Sequence, residues 1–184
     1  MGYHSAGRPV RVPLTKIWIA DKMKELMKHK SIEKIRITEI CEVAEIERST
    51  FYYHFQDKYE LVAWIFFQSA YKTDVISIES AAQSMNHMKQ DFIFYKRAYE
   101  DNSQAPMWAY MLEYFVERYT RLAKEKLGTD TLDTQTHFSI RLYCYGTLGM
   151  TREWLLNDNI TPAETAVKMM FDSMPDSLKN ILFG

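Results

Sequence analysis

The sequence predicts an all-α protein. Glycine and proline number only six and five in 184 residues, and where they occur they punctuate helical patterns rather than hairpins. Between them, apolar residues recur at spacings of three and four, as on a helix with one face turned to a core. With 47% hydrophobic and 26% charged residues, the chain suits one compact unit or two closely fused small ones, and it lacks the composition of a disordered protein.

The first helix is expected to begin near Thr15, after Pro13, with Ile19, Met23 and Leu26 as its apolar stripe. Ser31 interrupts it after the "KHK" cluster. A short second helix follows Thr38, whose hydroxyl is placed to cap free N–H groups, while Ile40, Val43 and Ala44 face inward. The tight "AEIE" at 44 to 47 leads into a third short helix within "RSTFYYHFQDKYEL", 48 to 61. A fourth runs from Lys58 to about Tyr71, out of a first module and into a second.

Beyond a polar break around Thr73 to Ser80, three longer helices are expected at about 80 to 101, 105 to 127 and 134 to 156. The segments "DNSQAP" and "GTDTLDT" separate them, with Gly128 as a C-terminal stop. A last helix follows "TPAE": Thr161 is its expected N-cap, Pro162 its first residue, and Glu164 the partner that completes a capping box, with Pro175 ending it. The chain shows no internal repeat and no low-complexity segment.

Charge is unevenly spread. Residues 1 to 36 hold nine Lys/Arg and three Asp/Glu, leaving fourteen and twenty-one for the remainder. One end therefore suits a polyanion and the other does not. Cys41 and Cys144 are far apart and lack metal-ligand spacing, so they read as buried free thiols, with neither a disulfide framework nor a metal site indicated. No stretch has the roughly 18 consecutive apolar residues of a membrane span, and the N-terminus lacks a signal-peptide core, so a cytoplasmic protein is expected.

Three helices within the first module, the last two joined by a tight turn, have helix-turn-helix proportions. At about 100° per residue, Phe51 and Phe55 share a face that meets Ile40 and Val43, while Ser49, Thr50 and Tyr53 point the opposite way and Tyr52 and His54 lie on the flanks. An outer face of hydroxyls, a phenol and an imidazole, with no acid between Arg48 and Phe55, suits a major groove lined with donors, acceptors and phosphates. Chemistry alone leaves a second reading open, in which these aromatics pack against another domain. Arg8, Arg11, Lys16, Lys34 and Arg36 are candidates for phosphate contact, the two arginines of the arm also for a minor groove; for each singly, a solvated basic surface is the alternative.

The stretch "ITEICEVAEIERSTFYYHFQDKYEL", 37 to 61, resembles the DNA-binding signature of the TetR/AcrR transcriptional regulators in I-T-x-I, in the R-S-T-F-Y-x-H-F run and in the following K-x-x-L. The resemblance is strong over about 15 to 65 and rests on helix order beyond. It implies that Ser49, Thr50, Tyr52, Tyr53 and His54 meet groove or phosphate and that Lys58 meets the phosphate backbone; Thr38 and Arg48 complete the candidate set. Two positions depart from the pattern. Glu45 stands where many members have Gly in the turn, at a cost of about 1–2 kcal/mol if the conformation is left-handed, and Glu47 stands where many have a serine cap.

In the second module, the helix at 134 to 156 is apolar almost all round, so one side needs the chain's own core and the other a second copy. Phe138, Leu142, Tyr145 and Gly149, with Val167 and Met170 of the last helix, are the candidate dimerisation residues, and the resemblance implies a dimer through the last two helices. Met88, Phe92, Tyr95, Trp108, Met111, Tyr114 and Phe115, with His137, form a Met-rich and aromatic cluster with polar anchors. Its spacing fits plain core, while its phenols and indole also fit an apolar pocket with polar anchors, and the resemblance implies a cavity for a small effector. "FYKRAYEDN" and "GMTREWLLND" are loosely similar to regulators of dihydroxyacetone-kinase operons.

No catalytic constellation, nucleotide loop or cofactor motif emerges. The expected organisation is a helix-turn-helix DNA-binding domain with a basic arm at 1–57 and a helical regulatory and dimerisation domain at 58–184. The expected function is a homodimeric regulator, acting as a repressor on a double-stranded DNA operator and controlled by a small molecule. The alternative is a helical dimeric interaction protein, or a regulator answering to a protein partner.

Overall fold

The structure is a computed structural model and describes residues 13–70, 76–100, 106–157 and 160–184. Among the described residues, ten α-helices and one 3-10 turn form the regular structure, and there is no strand. Arg8 and Arg11 of the basic arm, and most of the separators expected near 73 and 101, lie outside the described residues.

Helix α1 (Leu14–Met27) buries Ile19, Met23 and Met27, one seam at successive i+4 steps, with Leu26 only half-buried beside it. After the 3-10 turn at Ile32–Lys34, α2 (Ile37–Ala44) buries Ile40, Cys41 and Ala44. Two expectations are corrected here. Val43 is 41% exposed, because the buried seam runs through Cys41 instead. Thr38 caps nothing: α2 begins at Ile37 with Arg36 in the cap position, so Thr38 lies inside the first turn and is exposed.

The turn into α3 (Arg48–His54) is closed by Glu45, in the left-handed region at φ 53° and ψ 44°. Its N–H donates to the Glu42 carbonyl at 3.2 Å and the Ile46 N–H to the Cys41 carbonyl at 3.0 Å, the paired bonds of a Schellman motif. Phe51 and Phe55 then bury fully, their ring centroids 5.9 Å apart. Asp57 caps α4 (Lys58–Ala70): its Oδ1 accepts from the N–H groups of Tyr59 and Glu60, both at 2.8 Å.

Helix α4 packs on α1, α5 and α7. Trp64 meets Phe55 edge-on at 5.8 Å, Phe66 meets Tyr95 at 4.9 Å, and Phe67 stacks on Tyr114 at 3.7 Å. The helix expected at 80 to 101 is in fact two, α5 (Ile78–Gln90) and α6 (Phe92–Tyr99). Asp91 leaves the helical region at φ −108° and ψ 39°, and Lys24 of α1 holds its carboxylate at 2.9 Å, so a tertiary ion pair sits on the break.

Helix α7 (Pro106–Leu127) stops at Gly128, whose φ of 62° lets the Thr129 N–H reach back to the Lys124 carbonyl. Asp133 caps α8 (Thr134–Asn157), its Oδ1 accepting from the Thr136 N–H at 2.7 Å. Helix α9 (Ala163–Asp172) has Pro162, not Thr161, in the cap position and no capping box: the Glu164 carboxylate instead accepts from Asn86 of α5 at 2.9 Å. Helix α9 ends at Asp172, ahead of Pro175, but it is not the last: Pro175 stands in the cap position of α10 (Asp176–Phe183), which buries Leu178 and Leu182. In the second module α5 packs on α9, and α7 packs on α8 and α10.

A glycine at position 45 takes the left-handed conformation without a Cβ penalty. Glu45→Gly is therefore expected to stabilise the fold by about 1 kcal/mol, a rise of about 2–4 °C in Tm. A thermal melt checks this, and an unchanged or lower Tm counts against strain at Glu45.

Candidate nucleic-acid interface, cavity and apolar face

Helix α3 is held from beneath by Phe51 and Phe55, which frees its outer face for polar groups. Tyr53 is 85% exposed, Tyr52 is exposed beside it, and Arg48 and Ser49 are exposed as well; Thr50 and His54 are half-buried at the edges. The Arg48 guanidinium donates to the Tyr52 phenol at 3.4 Å, which steadies both side chains along one ridge. The sequence expectation for this helix thus corresponds to one continuous surface, with Thr38 exposed on neighbouring α2.

The cations around it divide into two groups. Lys34 and Arg36 are exposed in the connector before α2. Lys16 is drawn onto aromatic faces, its Nζ 4.7 Å from the Phe55 ring and 5.2 Å from that of Trp64. Lys58, expected against phosphate, donates to the carbonyls of Glu33 and Ile35 at 3.0 and 2.8 Å. Its ammonium thereby ties the start of α4 to the connector.

The second module forms a partly open pocket of about 90 Å³ between α5, α6, α7, α8, α9 and α10. Its walls combine Met85, Leu148, Phe171 and Phe183 with the polar groups of Arg118, Tyr119, Tyr143 and Thr151. Burial pushes the Tyr143 phenol up to about 12, so it stays neutral and able to donate. Of the eight side chains expected to line such a site, only Phe115 does. Met88, Tyr95 and Met111 are fully packed in the core; Trp108 and Tyr114 are half-buried, Tyr114 against α4. Phe92 is exposed under Lys96 and His137 is exposed on the first turn of α8. The face actually used on α7 is Phe115, Arg118 and Tyr119, an i, i+3, i+4 set visible in the sequence once that helix is placed.

A separate groove of about 590 Å³ runs along α8 and α9, lined by Leu142, Gly146, Met150, Trp154, Met169 and neighbours. Phe138 and Leu142, 65% and 57% exposed, and Tyr145 extend it as an apolar stripe. A Cβ at Gly146 or Gly149 would meet nothing within 4 Å, so packing within the chain does not require either glycine. Met170 is half-buried between groove and cavity. Val167 is corrected to the core: α9 packs on α5 with Ala163, Ala166 and Val167 buried, which leaves Met169 on the outer side.

Cys41 and Cys144 are free and buried, and burial pushes the Cys144 thiol up to about 12. Among the described residues no cluster of His, Cys, Asp or Glu is placed to hold a metal, and no helix is long and apolar enough to cross a membrane.

Comparison with known proteins bears on both modules. The profile described as "Bacterial regulatory proteins, tetR family" matches residues 19–65, and that described as "Transcriptional regulator C-terminal region" matches 78–176. The "HTH-type dhaKLM operon transcriptional activator DhaS" of Lactococcus lactis subsp. lactis (strain IL1403) is 40% identical over 53 residues, 29% of this chain and 28% of that one. The match thus spans under a third of that relative's length. Among solved structures, "Dihydroxyacetone kinase operon activator DhaS" superposes with a TM-score of 0.54 at 20% identity, over 91% of this chain and 97% of that one. A TetR-family transcriptional regulator from Syntrophomonas wolfei str. Goettingen gives 0.50 at 16% identity, over 92% and 95%. At these identities the two structures show the fold.

Lys58 is held by backbone carbonyls, whereas Lys34 and Arg36 are exposed. Lys58→Met is expected to destabilise the fold by about 1 kcal/mol, lowering Tm by about 2–4 °C, with little change in the salt dependence of DNA binding. Lys34→Ala and Arg36→Ala should leave Tm alone and lower the salt slope by about 0.9 for each phosphate that is no longer neutralised. Melting curves and DNA titrations across a salt series check the division, and the reverse pattern returns Lys58 to the phosphate backbone.

Proposed function

The chain belongs to the TetR family of bacterial regulatory proteins and is a DNA-binding transcriptional regulator, and from that premise we propose that it is a cytoplasmic homodimer whose two α3 helices read a near-palindromic operator under the control of a bound signal. The observation that carries this reading is the outer face of α3: exposed Arg48, Ser49, Tyr52 and Tyr53 over buried Phe51 and Phe55. Phenol and hydroxyl groups there meet base edges, and Lys34 and Arg36 meet phosphates. Thr38, exposed on α2, and His54, half-buried on α3, are the further candidates for contact. The proposed DNA-binding unit ends near residue 57, with α4 as the beam between it and the regulatory unit.

Dimerisation is proposed along the α8–α9 groove through Phe138, Leu142, Tyr145, Met150 and Met169, with Gly146 and Gly149 permitting close approach. Such a pair forms an intersubunit four-helix bundle and sets the spacing of the recognition helices, about 34 Å for half-sites one turn apart. Repression is the proposed mode, since a dimer that occupies a promoter needs no further contact to exclude polymerase.

The cavity is the proposed effector site. Its volume of about 90 Å³ is smaller than the ~150 Å³ cavity that admits benzene, so the part of the effector that enters it is compact and meets the polar groups of Arg118, Tyr119, Tyr143 and Thr151. That modest volume also favours a second reading, in which the second module answers to a protein partner. Titration of small polar compounds against the DNA complex separates the two: release of DNA supports the first, and DNA binding that answers only to a protein supports the second.

Two sets of variants test the interface. Thr50→Ala and Tyr53→Ala are expected to narrow the gap between a selected operator and random duplex by about 1–2 kcal/mol each, leaving the salt slope nearly unchanged. Equal discrimination by wild type and both variants removes α3 from the groove.

For the dimer, Leu142→Arg and Met169→Asp are expected to yield folded monomers that no longer protect a full operator. Val167→Asp should instead unfold the chain, because it buries a carboxylate in the α5–α9 contact. Sedimentation alongside circular dichroism reads both, and a folded Leu142→Arg dimer overturns the assignment.

A further inference from the structure

The start of α4 is held from more than one side. Phe55 closes α3 just before it, and Lys58 fastens it to the carbonyls of Glu33 and Ile35 ahead of α2. Asp57 between them uses its two oxygens differently. Oδ1 accepts the first-turn N–H groups of Tyr59 and Glu60, whereas Oδ2 accepts the phenol of Tyr110, from α7, at 3.2 Å. Helix α7 is also the element that carries Phe115, Arg118 and Tyr119 into the cavity wall.

Two aromatic contacts also join α7 to α4, both at Phe67: the stack of Tyr114, with ring planes 13° apart, and the edge-on ring of Phe115 at 5.6 Å. A stack of this kind tolerates sliding, while a hydrogen bond to one carboxylate oxygen fixes distance and direction. Both ring contacts lie at Phe67, far along α4, whereas the Tyr110 bond meets the helix at its capped first turn and is the directional contact there. Burial, and next the Asp57 carboxylate, raise the Tyr110 phenol, so it remains protonated and a donor.

We propose that Tyr110 is a positioning residue for the recognition helix: through Asp57 it fixes the junction between α3 and α4, and so the angle at which α3 is presented to DNA. The inference rests on the DNA-reading role of α3 proposed above. A movement of the cavity-bearing helix reaches α3 by this bond, through the capped turn that both α4 and the connector share.

The test uses the full chain and a duplex enriched from a random pool by the wild-type protein, with unselected duplex as reference. Tyr110→Phe removes the donor and keeps the ring. Asp57→Ser keeps a capping oxygen for α4 but is too short to serve Tyr110 as well. Each single variant is expected to lower the operator-to-random affinity ratio about three- to tenfold, with random-duplex affinity within about twofold of wild type. The double variant should lose no more than either single one, since both remove the same bond. An unchanged ratio in Tyr110→Phe overturns the proposal, as do single effects that multiply in the double variant, which point to separate packing roles. A wild-type chain that enriches no sequence overturns the DNA reading itself and the inference with it, whereas a wild type that enriches a site while Tyr110→Phe reads it equally well overturns the inference alone.

Discussion

A helix of seven residues cannot hold itself together in water: too few hydrogen bonds follow the costly first turn. Helix α3 exists because Phe51 and Phe55 bury against the first module and because the Glu45 turn delivers the chain to its first residue at a fixed angle. Its outer side chains add little to stability and are free to be chosen for recognition. That separation, two phenylalanines for the fold and the remaining positions for the ligand, is what suits so short an element to the DNA-reading role proposed for it.

The same demand explains α4. Its side chains bury in different surroundings, Trp64 against Phe55 and Phe66 and Phe67 against Tyr95 and Tyr114, so aromatic contacts run from the end of α3 to α6 and α7. Packed aromatic rings transmit displacement because cores rearrange between discrete arrangements rather than deforming smoothly. Lys24 on Asp91 adds a second tie between α1 and the α5–α6 corner, far from the first along the chain.

Much of this is legible in the sequence. Ile19 and Met23, the "AEIE" turn, the outward hydroxyls of α3 and the Gly128 stop each follow from local chemistry acting within one or two turns. Thr38 apart, where the helix simply starts one residue early, the misreadings come from residues distant in sequence. Asp91 reads as an ordinary helix residue until Lys24 is placed beside it, and Glu164 reads as a capping residue until Asn86 takes its carboxylate. Val167 and Met169 lie on the same short amphipathic helix, and only the direction from which α5 approaches decides which is buried. The sequence puts the cavity one face too far round α7 for the same reason: Met111 and Phe115 both read as core, and the packing of α8 and α10 selects the neighbours of Phe115.

The apolar stripe on α8 has a consequence for how the protein counts itself. On the proposed dimer, a lone chain leaves Phe138 and Leu142 in water, so pairing is favoured by mass action and the competent form grows with the square of chain concentration when copies are few. Promoter occupancy then responds to copy number more steeply than a single-chain binder allows. A twofold difference in synthesis becomes close to a fourfold difference in paired protein, and dilution at cell division acts as a signal without any ligand.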